Sequence, residues 1–231
     1  MRSRILTLSA VGAAALAIAA STTTIAGAAT NGAVPTHRDT ARVATNVDTD
    51  SVCYTQTTVA TGNAIVSQRF GPGFNMFNSR GADDFVTTLS TACAAISIDL
   101  PGQYFNGPGP ATAVQVRFFF DNSGVPGAIY KTRNVQATAT GFTDIAGTFH
   151  APWTNPVVLQ PSTTYWVSAR ARLNFNPFGN WGWDTLSPQF GNPAVWKNPG
   201  NGFSSGCVNW QTLPTCFGAG VGDDFAFTIN D

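Results

Sequence analysis

The chain contains no glutamate: its twelve acidic residues are all Asp. Only 10% of its 231 residues are charged, and the formal net charge is zero. With no basic run, the sequence offers no electrostatic grip on a phosphate backbone, so nucleic acid is not an expected partner. There are two histidines, His37 and His150, and no C-x-x-C spacing. That argues against a zinc site. Beyond the N-terminal segment no apolar run is long enough to span a bilayer. No apolar stretch keeps helical periodicity over three turns, which argues against a helical fold.

What is present begins with an export signal. Arg2 and Arg4 precede an apolar, Ala-rich run from Ile5 to Ala20, and Ala26-Gly27-Ala28 supplies small residues for cleavage after Ala28. Residues 1–28 therefore read as a secretory signal peptide. An uncleaved anchor fits less well, because Ser9 and Gly12 weaken a run that is already short. Removing Arg2 and Arg4 leaves ten Lys and Arg against twelve Asp, a net charge of −2. Residues 29–50 are small and polar and read as a disordered linker. Residues 51–231 are the expected folded domain, and the expected location is extracellular.

Cys53, Cys93, Cys207 and Cys216 form an even set in an exported chain, which reads as two disulfides. Of the three possible pairings, Cys207–Cys216 is the local choice, leaving Cys53–Cys93 to pin the start of the domain.

The domain reads as all-β, an antiparallel sandwich of jelly-roll type. Period-two alternation recurs between Gly, Pro, Asn and Asp clusters. In Cys93–Leu100, Ala94, Ile96, Ile98 and Leu100 share one face. In Ala113–Phe120, Val114, Val116, Phe118 and Phe120 oppose Gln115 and Arg117. In Thr164–Leu173, Tyr165, Val167, Ala169, Ala171 and Leu173 oppose Trp166, Ser168, Arg170 and Arg172. Val125-Pro126-Gly127-Ala128 has Pro and Gly where a type II turn wants them. Gly81-Ala82-Asp83-Asp84-Phe85 and Gly222-Asp223-Asp224-Phe225 look alike and suggest first and last strands lying side by side.

Gly202-Phe203-Ser204-Ser205-Gly206 matches the G-x-S-x-G nucleophile motif by letter. No helix is expected after it and no His follows Ser204, so it reads as a chance match. Asp83, Asp84, Asp223 and Asp224 are candidate Ca2+ ligands if the two pairs converge. The simpler reading is that they cap turns and protect sheet edges.

The strongest functional lead is aromatic. Five of the six Trp lie between Tyr165 and Trp210. Trp166, Trp181, Trp183 and Trp196 are candidate platforms for a sugar or another extracellular polymer, with Asn180 and Asn198 to orient it. The competing reading is that these rings fill the sandwich and that a neighbouring loop covers Trp166.

Several strings together resemble a module of uncharacterised secreted bacterial β-sandwich proteins. They are Gly81-Ala82-Asp83-Asp84-Phe85, Tyr104-Phe105-Asn106-Gly107-Pro108-Gly109-Pro110, Gly124-Val125-Pro126-Gly127, Thr164-Tyr165-Trp166-Val167-Ser168, Trp181-Gly182-Trp183, Trp196-Lys197-Asn198-Pro199-Gly200-Asn201-Gly202-Phe203 and Gly206-Cys207. The resemblance implies an extracellular sandwich and brings no catalytic residues with it. Likeness to carbohydrate-binding jelly rolls rests on architecture and aromatics alone.

The sequence therefore points to a non-enzymatic secreted or cell-surface module that binds a polysaccharide or another extracellular polymer. A structural or adhesive protein with the aromatics in its core is the alternative. An Asp-dependent hydrolase is a third reading. No cofactor is implied beyond Ca2+.

Overall fold

The computed structural model describes residues 51–57 and 60–231. The expected signal peptide and linker, residues 1–28 and 29–50, lie outside the described residues. The strands are, in order, β1 (Val52–Gln56), β2 (Ala60–Val66), β3 (Gln68–Arg69), β4 (Arg80–Val86), β5 (Cys93–Leu100) and β6 (Gly102–Phe105). Then come β7 (Ala113–Asp121), β8 (Pro126–Gln136), β9 (Thr143–Ile145), β10 (Thr148–Leu159) and β11 (Thr164–Arg172). The last are β12 (Asn180–Leu186), β13 (Val195–Lys197), β14 (Gln211–Thr212), β15 (Asp224–Phe225) and β16 (Phe227–Asn230).

These build an all-β sandwich. One sheet runs β1-β16-β5-β10-β9. The other runs β14-β13-β4-β11-β7-β8, and β3 adds to β11 in parallel. A smaller sheet centres on β12, flanked by β2, β6 and β15. Every other pairing among the described strands is antiparallel.

Alternation explains the core. Val114, Val116 and Phe118 on β7 and Tyr165, Val167, Ala169 and Ala171 on β11 all point inward and are buried. They meet Ile98, Leu100, Phe149, Leu159, Phe227 and Ile229 of the facing sheet in one cluster. Each large apolar side chain buried there contributes about 1.5–3 kcal/mol. Phe120 departs from the expected inward row and is 44% exposed, its ring tilted against Tyr130 at the end of the strand.

The alternation expected in β5 breaks. Cys93 and Ala95 point inward first, Ile98 and Leu100 afterwards, and Ala94 is exposed. The partner strand β10 has an irregular register between Pro152 and Val157, and such an irregularity reverses which residues face the core.

The turn before β8 is also set differently from expectation. Gly127 lies inside β8 and lacks the positive φ of a type II turn. The reversal is made by Ser123 and Gly124, with φ of 55° and 82°, and Asp121 Oδ1 accepts from the Gly124 N–H at 3.1 Å.

The first and last described strands do pair, as β1 with β16. The two Asp-Asp-Phe segments do not: β4 pairs with β11 and β13, and β15 pairs with β12. Both expected disulfides, Cys53–Cys93 and Cys207–Cys216, are formed, with Cα separations of 5.8 and 5.9 Å. No helix among the described residues is long and apolar enough to cross a membrane.

Candidate functional site

The four candidate Trp residues are inside the protein. Trp166, Trp181 and Trp183 are fully buried and Trp196 is 1% exposed. Each indole N–H has an internal acceptor: Asp121 Oδ1 for Trp166 (2.8 Å), the Gly147 carbonyl for Trp181 (2.7 Å), the Ala226 carbonyl for Trp183 (2.6 Å) and the Val66 carbonyl for Trp196 (2.7 Å). Trp181 stacks on Phe149 at 4.9 Å and Trp183 on Phe225 at 4.4 Å. Trp166 sits on the outer face of its sheet, covered by Ala82, Phe119 and Val195. The expected Trp-lined binding face is thus corrected: these rings have no free face, because the strands that carry them turn them into packed layers.

The two candidate amides differ from each other. Asn198 is fully buried and braces its loop, donating to the Met76 and Asn78 carbonyls at 2.7 and 2.9 Å and accepting from the Phe203 N–H. Asn180 is buried with its Oδ1 unpartnered among the described residues.

The Asp residues are braces as well. Asp83 Oδ2 accepts from Gln56 Nε2 and the Phe225 N–H, both at 2.7 Å. Asp84 accepts from the backbone and side chain of Asn192 at 2.8 and 3.0 Å. Asp224 accepts from the Phe190 and Ala194 N–H groups. Asp83, Asp84, Asp223 and Asp224 form no metal-ligand cluster among the described residues. The lone pairs a Ca2+ ion needs are largely spent on main-chain donors, so the calcium reading is corrected too. Ser204 of the G-x-S-x-G string lies in a loop, and the next helix, the short Leu213–Phe217, is separated from it by the two-residue strand β14.

A different site emerges on the outer face of the larger sheet. Because side chains alternate, the residues between the core positions of β7 and β11 all point outward. Antiparallel register then places Ser168 opposite Arg117 and Arg170 opposite Gln115. From the neighbouring strands, β4 adds Arg80 and β13 adds Lys197, which pair directly across their ladder. Arg80, Arg117, Arg170 and Lys197 line one cavity of about 510 Å3, walled by Asn75, Asn78, Ile129 and Trp210. Arg170 also lines an adjoining cavity of about 390 Å3 with Arg69 and Arg172.

No carboxylate answers these cations. Among the described residues the one contact of a basic side chain with a carboxylate is that of His150 with Asp99, at 2.7 Å. The groove cations are held instead by neutral acceptors. Arg80, only 4% exposed, donates to Ser168 Oγ at 3.2 Å and to Gln115 Oε1. Arg170 shares that Gln115 oxygen at 3.3 Å. The Nε groups of Arg117 and Arg170 are buried without a partner among the described residues. Lys197 Nζ lies 4.1 Å from the Trp210 ring centroid, a cation–π contact.

The electrostatics are accordingly unfavourable to Arg80, Arg170 and Lys197. Burial first, then Arg170 and Arg117, push the Arg80 guanidinium down from its ordinary pKa. Burial, then Arg117 and Arg69, do the same to Arg170. Burial, then Arg80, Arg117 and Arg170, lower Lys197. Guanidinium groups keep their proton regardless, so the strain persists as uncompensated positive charge. An anion in the groove would supply the missing acceptors and charge-assisted hydrogen bonds.

Sequence reading missed these residues as a site. The only available signal was the polar row on β7 and β11; Arg80 and Lys197 join it through strand pairing alone. Comparison with known proteins adds no assignment: no family model, no curated protein and no solved structure matches the chain.

Proposed function

We propose that the protein is a non-enzymatic binding module of the extracellular space that holds an anionic polysaccharide along the groove of Arg80, Arg117, Arg170 and Lys197. One observation carries this reading: four cations line one cavity with no carboxylate partner among the described residues. The adjoining cavity of Arg69 and Arg172 extends the positive strip, which suits a polymer better than a single small ion. Ile129 and the partly covered Trp210 give apolar surface for a sugar ring beside the charges. The two disulfides support an oxidising compartment.

The test is retention on immobilised polysaccharides that differ only in charge. Polygalacturonate and dextran sulfate gels should retain the protein at low salt, and neutral dextran should not. Equal passage through all three gels contradicts the proposal.

A second reading, a structural or adhesive extracellular protein, is favoured by the burial of Trp166, Trp181, Trp183 and Trp196. It expects substitutions in the groove to leave retention on every gel unchanged.

A further inference from the structure

The turn Asn75–Phe77 has two sides. Asn75 helps wall the cationic groove, while the flanking Phe74 and Phe77 contribute to a separate cavity of about 210 Å3. Phe70, Phe175 and Phe203 complete its aromatic lining, with the exposed Asn106 at its edge and the buried Asn180 in its wall. The rings make a basket. Phe77 meets Phe203 edge to face at 5.3 Å and 78°, and Phe74 meets Phe175 at 5.1 Å. Phe70 is buried at its base, whereas the other four rings keep part of their surface open. Asn180 is 7% exposed, and among the described residues its Oδ1 is buried without a hydrogen-bond partner. A buried amide left unpaired is costly, and it occurs here in the wall of an open apolar cavity.

We infer that this basket binds a small phenol: one aromatic ring carrying a hydroxyl. Size sets the first limit, since an apolar cavity of about 150 Å3 accommodates a benzene ring. The volume here admits one ring with a small substituent. The lining sets the second, because tilted and edge-on phenylalanines present ring edges and faces that favour another aromatic ring. A sugar is disfavoured, as most of its hydroxyls would be desolvated against phenyl rings without partners. Polarity sets the third. The Asn180 carboxamide offers one polar atom, a donor or an acceptor according to which way the amide is turned, and a phenolic hydroxyl pairs with either. The inference is independent of the anion groove.

The experiment is a titration of the 15N-labelled protein with p-cresol and, separately, with toluene, which differs by lacking the hydroxyl. Saturable shifts at Asn180, Phe175 and Phe203 are expected. The p-cresol affinity should exceed that of toluene by about fivefold, the scale of one net hydrogen bond. Asn180→Leu should remove that preference, and Phe175→Ala, at a partly buried position, should weaken both ligands. If Asn180→Leu does not fold, the wild-type preference and the Phe175→Ala loss together decide the matter. No saturable shift with p-cresol, equal affinity for the two ligands in the wild type, or unchanged binding by Phe175→Ala overturns the inference.

Discussion

Arg117 shows how a binding residue can oppose stability. Its Nε is buried without a partner among the described residues, on a sheet face already crowded with Arg80 and Arg170. Removing an uncompensated, partly buried charge in favour of an apolar side chain is commonly neutral or stabilising. Arg117→Met is therefore expected to raise stability by about 1 kcal/mol in urea denaturation while weakening retention on polygalacturonate. A loss of both would mean that Arg117 is structural. Trp181 gives the opposite case. It is fully buried, stacked on Phe149, and hydrogen-bonded to Gly147. Trp181→Ala is expected to cost about 3–5 kcal/mol, the range for a large core aromatic, and denaturation of the purified variant checks it. The sequence grouped Trp181 and Trp183, two residues apart, as part of a Trp-rich loop face, whereas they lie on strand β12. It did not tell a packed face from a binding face, because both bring large rings together; the difference lies in Phe149 and Phe225, which arrive from other strands.

At the scale of elements, the groove depends on a loop as well as on strands. Lys197 ends β13, and the next residue, Asn198, donates its backbone N–H to the Cys207 carbonyl at 2.7 Å. Cys207 is tied to Cys216, so the disulfide brackets Trp210, on which Lys197 rests. Replacing both cysteines by Ser is expected to lower stability by roughly 2–3 kcal/mol, from the entropy of a loop this short. It should also weaken anion binding, because the Lys197–Trp210 wall loosens. Replacing Cys53 and Cys93 should cost stability without a comparable change in binding, since that bridge lies away from the groove residues. Denaturation and gel retention of the two double variants separate these effects. The strand pattern was legible in the sequence because alternation is local. Gln115 and Arg117 on β7, and Ser168, Arg170 and Arg172 on β11, could be read as outward rows. That the two rows lie side by side follows from the pairing of strands some fifty residues apart, which no local pattern encodes. The break in β5 was hidden for the same reason, being set by its partner β10.

At the scale of the whole molecule, the cations are gathered together. The net charge is zero, yet Arg69, Arg80, Arg117, Arg170, Arg172 and Lys197 gather on one sheet face. Net charge described the chain correctly and concealed this clustering. The buried acids make a second whole-molecule feature. Burial first, then Asp224, holds the Asp83 carboxyl well above the usual range. Burial also pushes Asp224 up to about 7, with Asp84 and Asp223 adding to the rise. A carboxyl whose pKa is higher folded than unfolded binds its proton more tightly in the folded state. Its stabilising effect is full below the unfolded pKa, near 4, and is lost as pH rises through the folded value. From Asp224, thermal stability is accordingly expected to fall between about pH 4 and about pH 7. A melting temperature that instead rises across this window contradicts the assignment.

The central claim is that the unpaired cations of the outer sheet face bind an anionic polymer, and calorimetric titration of polygalacturonate into the protein tests it most directly. The wild type should bind, with affinity falling steeply as salt rises, because exposed charge interactions are screened. The folded double variant Arg117→Met/Arg170→Met should lose at least tenfold in affinity. Binding of equal strength by the folded double variant, or wild-type affinity indifferent to salt, would contradict the claim.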